Sequence, residues 1–130
     1  MNFKRIKETC LYIEDLAQAK DFYATTLGLE VINYLPAKHL FLRVGDSVLL
    51  CFNPLDSKLK LSPPAHYAEG KQHFAFEVDA NAFAEAKEQL VRKGIKITDE
   101  ITWKNGQKSC YFEDPAGNVL EIVPAGVWDN

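Results

Sequence analysis

The sequence predicts an α+β fold in which paired βαβββ modules form a curved mixed sheet, and three observations carry that prediction. A strand, helix, strand, strand, strand order of hydrophobic patterns occurs twice along the chain. Local echoes link the copies: Ala19-Lys20 ahead of Gly28-Leu29-Glu30-Val31 is matched by Ala86-Lys87 ahead of Gly94-Ile95-Lys96-Ile97. Each first strand also opens on a polar residue five positions before a β-branched one, Glu8 before Ile13 and His73 before Val78.

In the first module, Arg5 to Ile13 alternates as a strand, with Glu8, Cys10 and Tyr12 on one face and Thr9, Leu11 and Ile13 on the other. Leu16 to Leu27 spaces Leu16, Ala19, Phe22, Tyr23 and Leu27 for a helix, which Asp15 can cap and Gly28 can stop. Strands over Glu30 to Leu35, His39 to Val44 and Ser47 to Phe52 complete the module, the last two joined by the Gly45-Asp46 turn. Residues 54–70 contain Pro54, Pro63 and Pro64, carry no core pattern and read as a linker.

The second module repeats the order: a strand over His73 to Val78, then a helix over Ala80 to Lys93 with Phe83, Ala86 and Leu90 inward and Gly94 at its end. Strands follow over Ile95 to Trp103, Lys108 to Phe112 and Val119 to Val123. The expected organisation is one domain over residues 1–130, built of modules 5–53 and 71–125 joined by linker 54–70. Helices would cover one face of a shared sheet and leave the other to enclose something.

A chain of 130 residues can bury about two-thirds of its unfolded surface, so neither metal nor disulfide is needed to explain folding. Fifteen Lys and Arg against 18 Asp and Glu give a net charge of -3, without a basic stripe or a Cys/His finger spacing, which argues against a nucleic-acid partner. Cys10, Cys51 and Cys110 are odd in number, far apart and flanked by apolar residues. They read as reduced thiols of a cytoplasmic protein. Neither a signal peptide nor a membrane span is expected.

The stretch Gly70-Lys71-Gln72-His73-Phe74-Ala75-Phe76-Glu77-Val78 raises the functional question. Alternation puts Phe74, Phe76 and Val78 on one face and His73, Ala75 and Glu77 on the other, and that second face is not ordinary core, because a buried Glu needs a partner. In the last strand Val119, Glu121 and Val123 share a face opposite Leu120 and Ile122. If the modules pack about a pseudo-twofold axis, Glu8, His73 and Glu121 converge from three strands as one imidazole and two carboxylates, a set suited to a divalent ion. Cys10 and Tyr12 on Glu8's strand, Leu49 and Cys51 on the fourth strand, and Ser109, Tyr111 and Trp103 in the second module are the expected lining of a pocket for a small oxygenated compound. Cys10 and Cys51 read more readily as small core hydrophobes, since no residue pattern identifies an activating base for either thiol. His66, in the loop before the second module, either lines the mouth of that pocket or faces water.

The runs Tyr12-Ile13-Glu14-Asp15-Leu16, Phe22-Tyr23 with Leu27-Gly28-Leu29, Gly70 to Phe76, and Tyr111-Phe112-Glu113-Asp114-Pro115-Ala116-Gly117-Asn118-Val119-Leu120-Glu121 resemble the vicinal oxygen chelate superfamily, the glyoxalase, bleomycin-resistance and extradiol-dioxygenase group. The resemblance spans roughly residues 5 to 125. It implies a glyoxalase/bleomycin-resistance-like fold, with metal ligands from the first strand of each module and from the last strand after the D-P-x-G-N turn. Carried onto this chain these are Glu8, His73 and Glu121, where many members have His at the position of Glu8. It also implies a homodimer, with modules pairing within or between chains.

What this implies is a metal-dependent lyase, isomerase or epoxide-opening enzyme acting on a small substrate with vicinal oxygens. The ion would be Mn, Fe, Ni, Co or Zn, and Glu8 or Glu121 would serve as the base. The alternative is a metal-free drug-binding or sequestering protein of the bleomycin-resistance type. An extradiol dioxygenase is a third reading, weakened because neither His39 nor His66 falls on a ligand position.

Overall fold

The computed structural model describes residues 1–129. The chain divides into two compact units, one ending at Gly70 and the other starting at Lys71. The first contains β1 (Glu8–Tyr12), α1 (Leu16–Lys20), β2 (Glu30–Leu35), β3 (His39–Val44), β4 (Ser47–Phe52) and α2 (Pro54–Ser57). The second contains β5 (His73–Val78), α3 (Phe83–Arg92), β6 (Asp99–Thr102), β7 (Lys108–Glu113) and β8 (Val119–Pro124).

Each unit carries its own four-stranded mixed sheet, ordered β1-β4-β3-β2 and β5-β8-β7-β6. The two expected βαβββ-like modules are present, with their strands in two mixed sheets: among the described residues β1 pairs with β4 alone and β5 with β8 alone, both in parallel. The remaining pairings are antiparallel.

Local chemistry accounts for the elements. Asp15 accepts from the Gln18 N–H at 3.0 Å and so opens α1. The expected single helix over 16–27 instead widens into a π-helical segment, Asp21–Thr26, whose last turn closes from the Leu27 N–H to the Phe22 carbonyl at 2.9 Å. Gly28, at φ 80°, ends it in a conformation that a Cβ would disfavour. The linker also holds a short helix, because Asn53 caps it through the Leu55 N–H and Pro54 occupies its first turn. In the second unit a 3-10 turn, Ala80–Ala82, precedes α3. Strand β6 starts four residues later than the alternation suggests, since the Ile95 N–H bonds back to the Leu90 carbonyl and residue 95 is held at the end of the helix.

Register decides the faces. In the first unit Leu11 lies opposite Cys51 and Thr9 opposite Leu49, and across β3 Leu40 and Leu42 face Cys51 and Leu49. Leu11, Leu40, Leu42, Leu49 and Cys51 are all buried, and α1 packs on β3 over this face. In the second unit Leu120, Ile122, Cys110 and Phe112 form the equivalent buried face, and α3 packs on β8. At about 1.5–3 kcal/mol for each fully buried large aliphatic or aromatic side chain, these two clusters supply the main hydrophobic stabilisation of their units.

Two pocket expectations are corrected by this register. Leu49 and Cys51 belong to the helix-covered core of the first unit, opposite the face that carries Glu8, Cys10 and Tyr12. Their places beside those residues are taken by Val48, Leu50 and Phe52.

Candidate functional site

In the second unit, the face away from α3 gathers His73, Tyr111 and Glu121. Strand β8 lies between β5 and β7, so Glu121 pairs with Tyr111 on one side and with Ala75, two residues beyond His73, on the other. His73 Nε2 stands 3.5 Å from Glu121 Oε2. The Glu121 side chain is only 7% exposed and the imidazole 50%. Glu121 Oε1 is buried and makes no hydrogen bond among the described residues, an arrangement that costs free energy unless a ligand completes it.

The imidazole is oriented by the backbone. His73 Nδ1 lies 2.8 Å from the Val119 carbonyl oxygen. A carbonyl can only accept, so Nδ1 donates to it, and Nε2 is the ring nitrogen that faces Glu121. This is the second hydrogen bond that a metal-ligating histidine uses.

Tyr111 sits beside this pair, its ring 6.1 Å from that of His73. Burial pushes its pKa up, the Glu121 charge adds to that, a hydrogen bond with Ser109 opposes it, and one with Glu121 raises it further. At neutral pH the hydroxyl is therefore a proton donor. Ser109 is fully buried and accepts from Trp103 Nε1 at 3.1 Å, and Trp128 packs against Trp103 with ring centres 5.2 Å apart. Of the residues expected in this unit, the structure thus joins His73 to Glu121, with Tyr111 alongside, and Trp103 to Ser109.

In the first unit Glu8 is exposed at the start of β1, with Cys10 and Tyr12 following on the same face. Burial, then the charge of Glu8, raises the Cys10 thiol, which keeps it protonated and poorly nucleophilic. Tyr12 stacks with Phe52 and bonds through its hydroxyl to His66 Nδ1 at 2.7 Å. His66 also sets its ring edge-on to Phe52 at 4.7 Å, so it docks on this face instead of facing water.

His39 stacks on Phe41 with ring centres 3.9 Å apart and shares a 2.6 Å bond with Asn33. Phe41 and Phe52 were missed by the sequence reading, which offered His66 as one of two alternatives. The signal was the two-residue Gly45-Asp46 turn, which pairs Val44 with Ser47 and so His39 with Phe52.

Among the described residues, no group of three or more His, Cys, Asp or Glu side chains is close enough together to hold a metal ion. Glu8 lies in the first unit, and His73 with Glu121 in the second. No helix among the described residues is long and apolar enough to cross a membrane.

Comparison with known proteins places this geometry in a family. The family model for the glyoxalase/bleomycin resistance protein/dioxygenase superfamily matches residues 5–122. The chain is similar to a lactoylglutathione lyase from Agrobacterium tumefaciens, at 35% identity over 98% of both chains with a TM-score of 0.93. It is also similar to a glyoxalase/dioxygenase from Nostoc punctiforme, at 25% identity over 93% of this chain and 90% of that one, TM-score 0.67. A glyoxalase-related enzyme from Fulvimarina pelagi shares the fold at 23% identity, covering 97% and 91% of the two chains, with a TM-score of 0.73. No curated protein matches the chain. From the match over most of its length and the 35% identical relative, the chain belongs to the glyoxalase/bleomycin resistance protein/dioxygenase superfamily.

Proposed function

We propose that the protein is a metal-dependent enzyme of the glyoxalase type, a lyase or isomerase acting on a small substrate with two adjacent oxygens, with epoxide opening as a variant of the same chemistry. The observation that carries this reading is the His73–Glu121 pair: an imidazole whose Nδ1 is held by a backbone carbonyl and whose Nε2 faces a nearly buried carboxylate with one oxygen outside any hydrogen bond among the described residues. A borderline nitrogen and a hard oxygen donor fit Mn, Fe, Ni, Co or Zn. The 35% identity to a lactoylglutathione lyase adds weight to a lyase or isomerase.

Glu8, His73 and Glu121 would hold one such ion, with Glu8 supplied by the first module of the same chain or of a second copy in a homodimer. When bound, the ion supplies Lewis-acid polarisation of a substrate oxygen. The chain's own groups do the rest. Glu8 or Glu121 accepts the substrate proton. Tyr111, kept protonated by burial and by Glu121, donates a hydrogen bond to the substrate oxygen. Cys10, Tyr12, Ser109 and Trp103 shape the walls. The three cysteines, none of them in a disulfide among the described residues, fit a cytoplasmic setting.

A metal-free binding role is favoured by a different observation, the aromatic cluster of Tyr12, Phe52, Phe41 and His66 on the Glu8 face, which suits a planar ligand. Dioxygenase chemistry is the least supported reading, since His39 and His66 are bonded to Asn33 and Tyr12.

The test is the metal content of untagged protein, followed by titration of wild type, His73→Ala and Glu121→Gln with Mn, Fe(II), Ni, Co and Zn. One ion per chain, lost in both variants, is the expected result. No ion bound and no change in melting behaviour would overturn the metalloenzyme reading in favour of the binding role.

A further inference from the structure

The turn into β8 is built around side chains whose hydrogen bonds lead, one to the next, to His73. Asp114 is 5% exposed and Asn118 1% exposed. Asp114 Oδ1 accepts from the backbone N–H groups of Ala116 at 3.0 Å and Asn118 at 2.9 Å, and Oδ2 accepts from Asn118 Nδ2 at 2.9 Å. Because the carboxylate only accepts, the Asn118 amide is fixed with its oxygen turned the other way, where it accepts from the Gln72 N–H at 3.0 Å. The Gln72 carbonyl takes the Val119 N–H at 2.8 Å, and the Val119 carbonyl takes His73 Nδ1 at 2.8 Å. Every donor in this series meets an acceptor, and the series ends on the imidazole.

The turn itself does not require the Asn118 side chain. It is closed by the Gly117 N–H on the Asp114 carbonyl at 2.9 Å, by the Asp114 N–H on the Asn118 carbonyl at 3.1 Å, and by the Asp114 Oδ1 contacts. The Asn118 amide instead ties the residue before His73 to the residue before Val119, at the point where the β5–β8 ladder starts.

We propose that Asp114 and Asn118 are positioning residues for His73: their carboxylate–amide pair locks the start of β5 against β8 and holds the ring as the Nδ1–H tautomer with Nε2 directed toward Glu121. The consequence for metal binding rests on the reading of His73 as a ligand; the tautomer and its dependence on the pair do not.

The experiment swaps the two polar groups. Asp114→Asn keeps an oxygen for the two backbone N–H groups but turns an N–H at Asn118 Nδ2, which disconnects Gln72. Combining Asp114→Asn with Asn118→Asp restores the donor–acceptor matches named above with the roles exchanged. The readouts are the 15N shifts of the His73 ring nitrogens in metal-free protein in alkaline buffer, Co(II) affinity by titration, and thermal melting.

The expected results are the Nδ1–H tautomer in wild type, a mixture of tautomers with about tenfold weaker Co(II) binding in Asp114→Asn, and recovery of both in the double variant. An Nε2–H tautomer in wild type overturns the proposal. So does a folded Asp114→Asn chain with wild-type ring shifts, or a folded double variant that does not recover them. Should Asp114→Asn not fold, the wild-type and double-variant shifts decide. If wild type binds no Co(II) while the ring shifts follow the expected pattern, the metalloenzyme reading fails and the positioning role stands.

Discussion

Tyr12 and His66 are 54 residues apart in the chain and meet through a 2.7 Å bond between the phenol hydroxyl and imidazole Nδ1. Burial, then the neighbouring Cys10, raises the Tyr12 pKa, so the hydroxyl remains a donor at neutral pH. With the Phe52 ring beneath it, His66 pins the segment after α2 to the sheet. Tyr12→Phe removes the bond and keeps the ring stacking. It should destabilise the protein by about 0.5–1.5 kcal/mol and speed amide hydrogen exchange at Tyr67 and Ala68. Unchanged exchange there would show that the ring contacts alone hold the segment.

Glu121 combines burial with an unpartnered oxygen, an arrangement that function can maintain at the expense of stability. Glu121→Met keeps the side-chain volume roughly constant and removes the buried polar group. The metal-free variant should be more stable by about 1 kcal/mol, a rise in Tm of about 3–6 °C, and should show no further stabilisation on metal addition. A lower Tm would mean that the carboxylate is satisfied within the protein.

His39 supplies a pH dependence. Its pKa lies below the ordinary 6.5, by burial first and then the Lys60 ammonium, opposed by Asp56, with Lys38 adding to the lowering. The folded chain therefore binds this proton less readily than the unfolded chain. Its contribution to stability is full above the ordinary value and is lost as pH falls from there through the lower folded value. His39→Gln retains a donor for Asn33 and removes the titration. The fall in Tm between about pH 7 and about pH 5 should be shallower in this variant, as followed by circular dichroism. An identical slope would assign the acid sensitivity to other groups.

Gly117 takes φ 85° in the turn before Asn118, and a Cβ added there meets nothing within 4 Å. The penalty of Gly117→Ala is thus conformational and not steric, about 1–2 kcal/mol. Urea denaturation should report that loss with an unchanged m-value. A much larger loss would mean that the turn rearranges.

Much of the fold was legible in local patterns. The Asp15 cap located the start of α1 and Gly28 the end of the π-helical segment that continues it, and alternation in His73 to Val78 and Val119 to Val123 located β5 and β8 within a residue at their ends. The π-helical widening at Asp21–Thr26 escaped the reading because α and π helices bury similarly spaced apolar residues and differ in backbone bonding. Strand β6 was placed too early because Ile95 and Ile97 alternate like a strand, while the backbone at residue 95 is committed to the end of α3.

For the candidate site, alternation within each strand put His73 and Glu121 on faces directed away from their own module's core, because side-chain direction along a strand has a strict period of two. Tertiary structure alone decided which faces met. Pairing of β1 with β4 put Val48, Leu50 and Phe52 beside Glu8, Cys10 and Tyr12, and sent Leu49 and Cys51 into the core. A shift of one residue in register exchanges every side chain between faces. That register is set by turns and hydrogen bonds between strands remote in sequence, as are the Tyr12–His66 bond and the Asn118–Gln72 tie that orients His73.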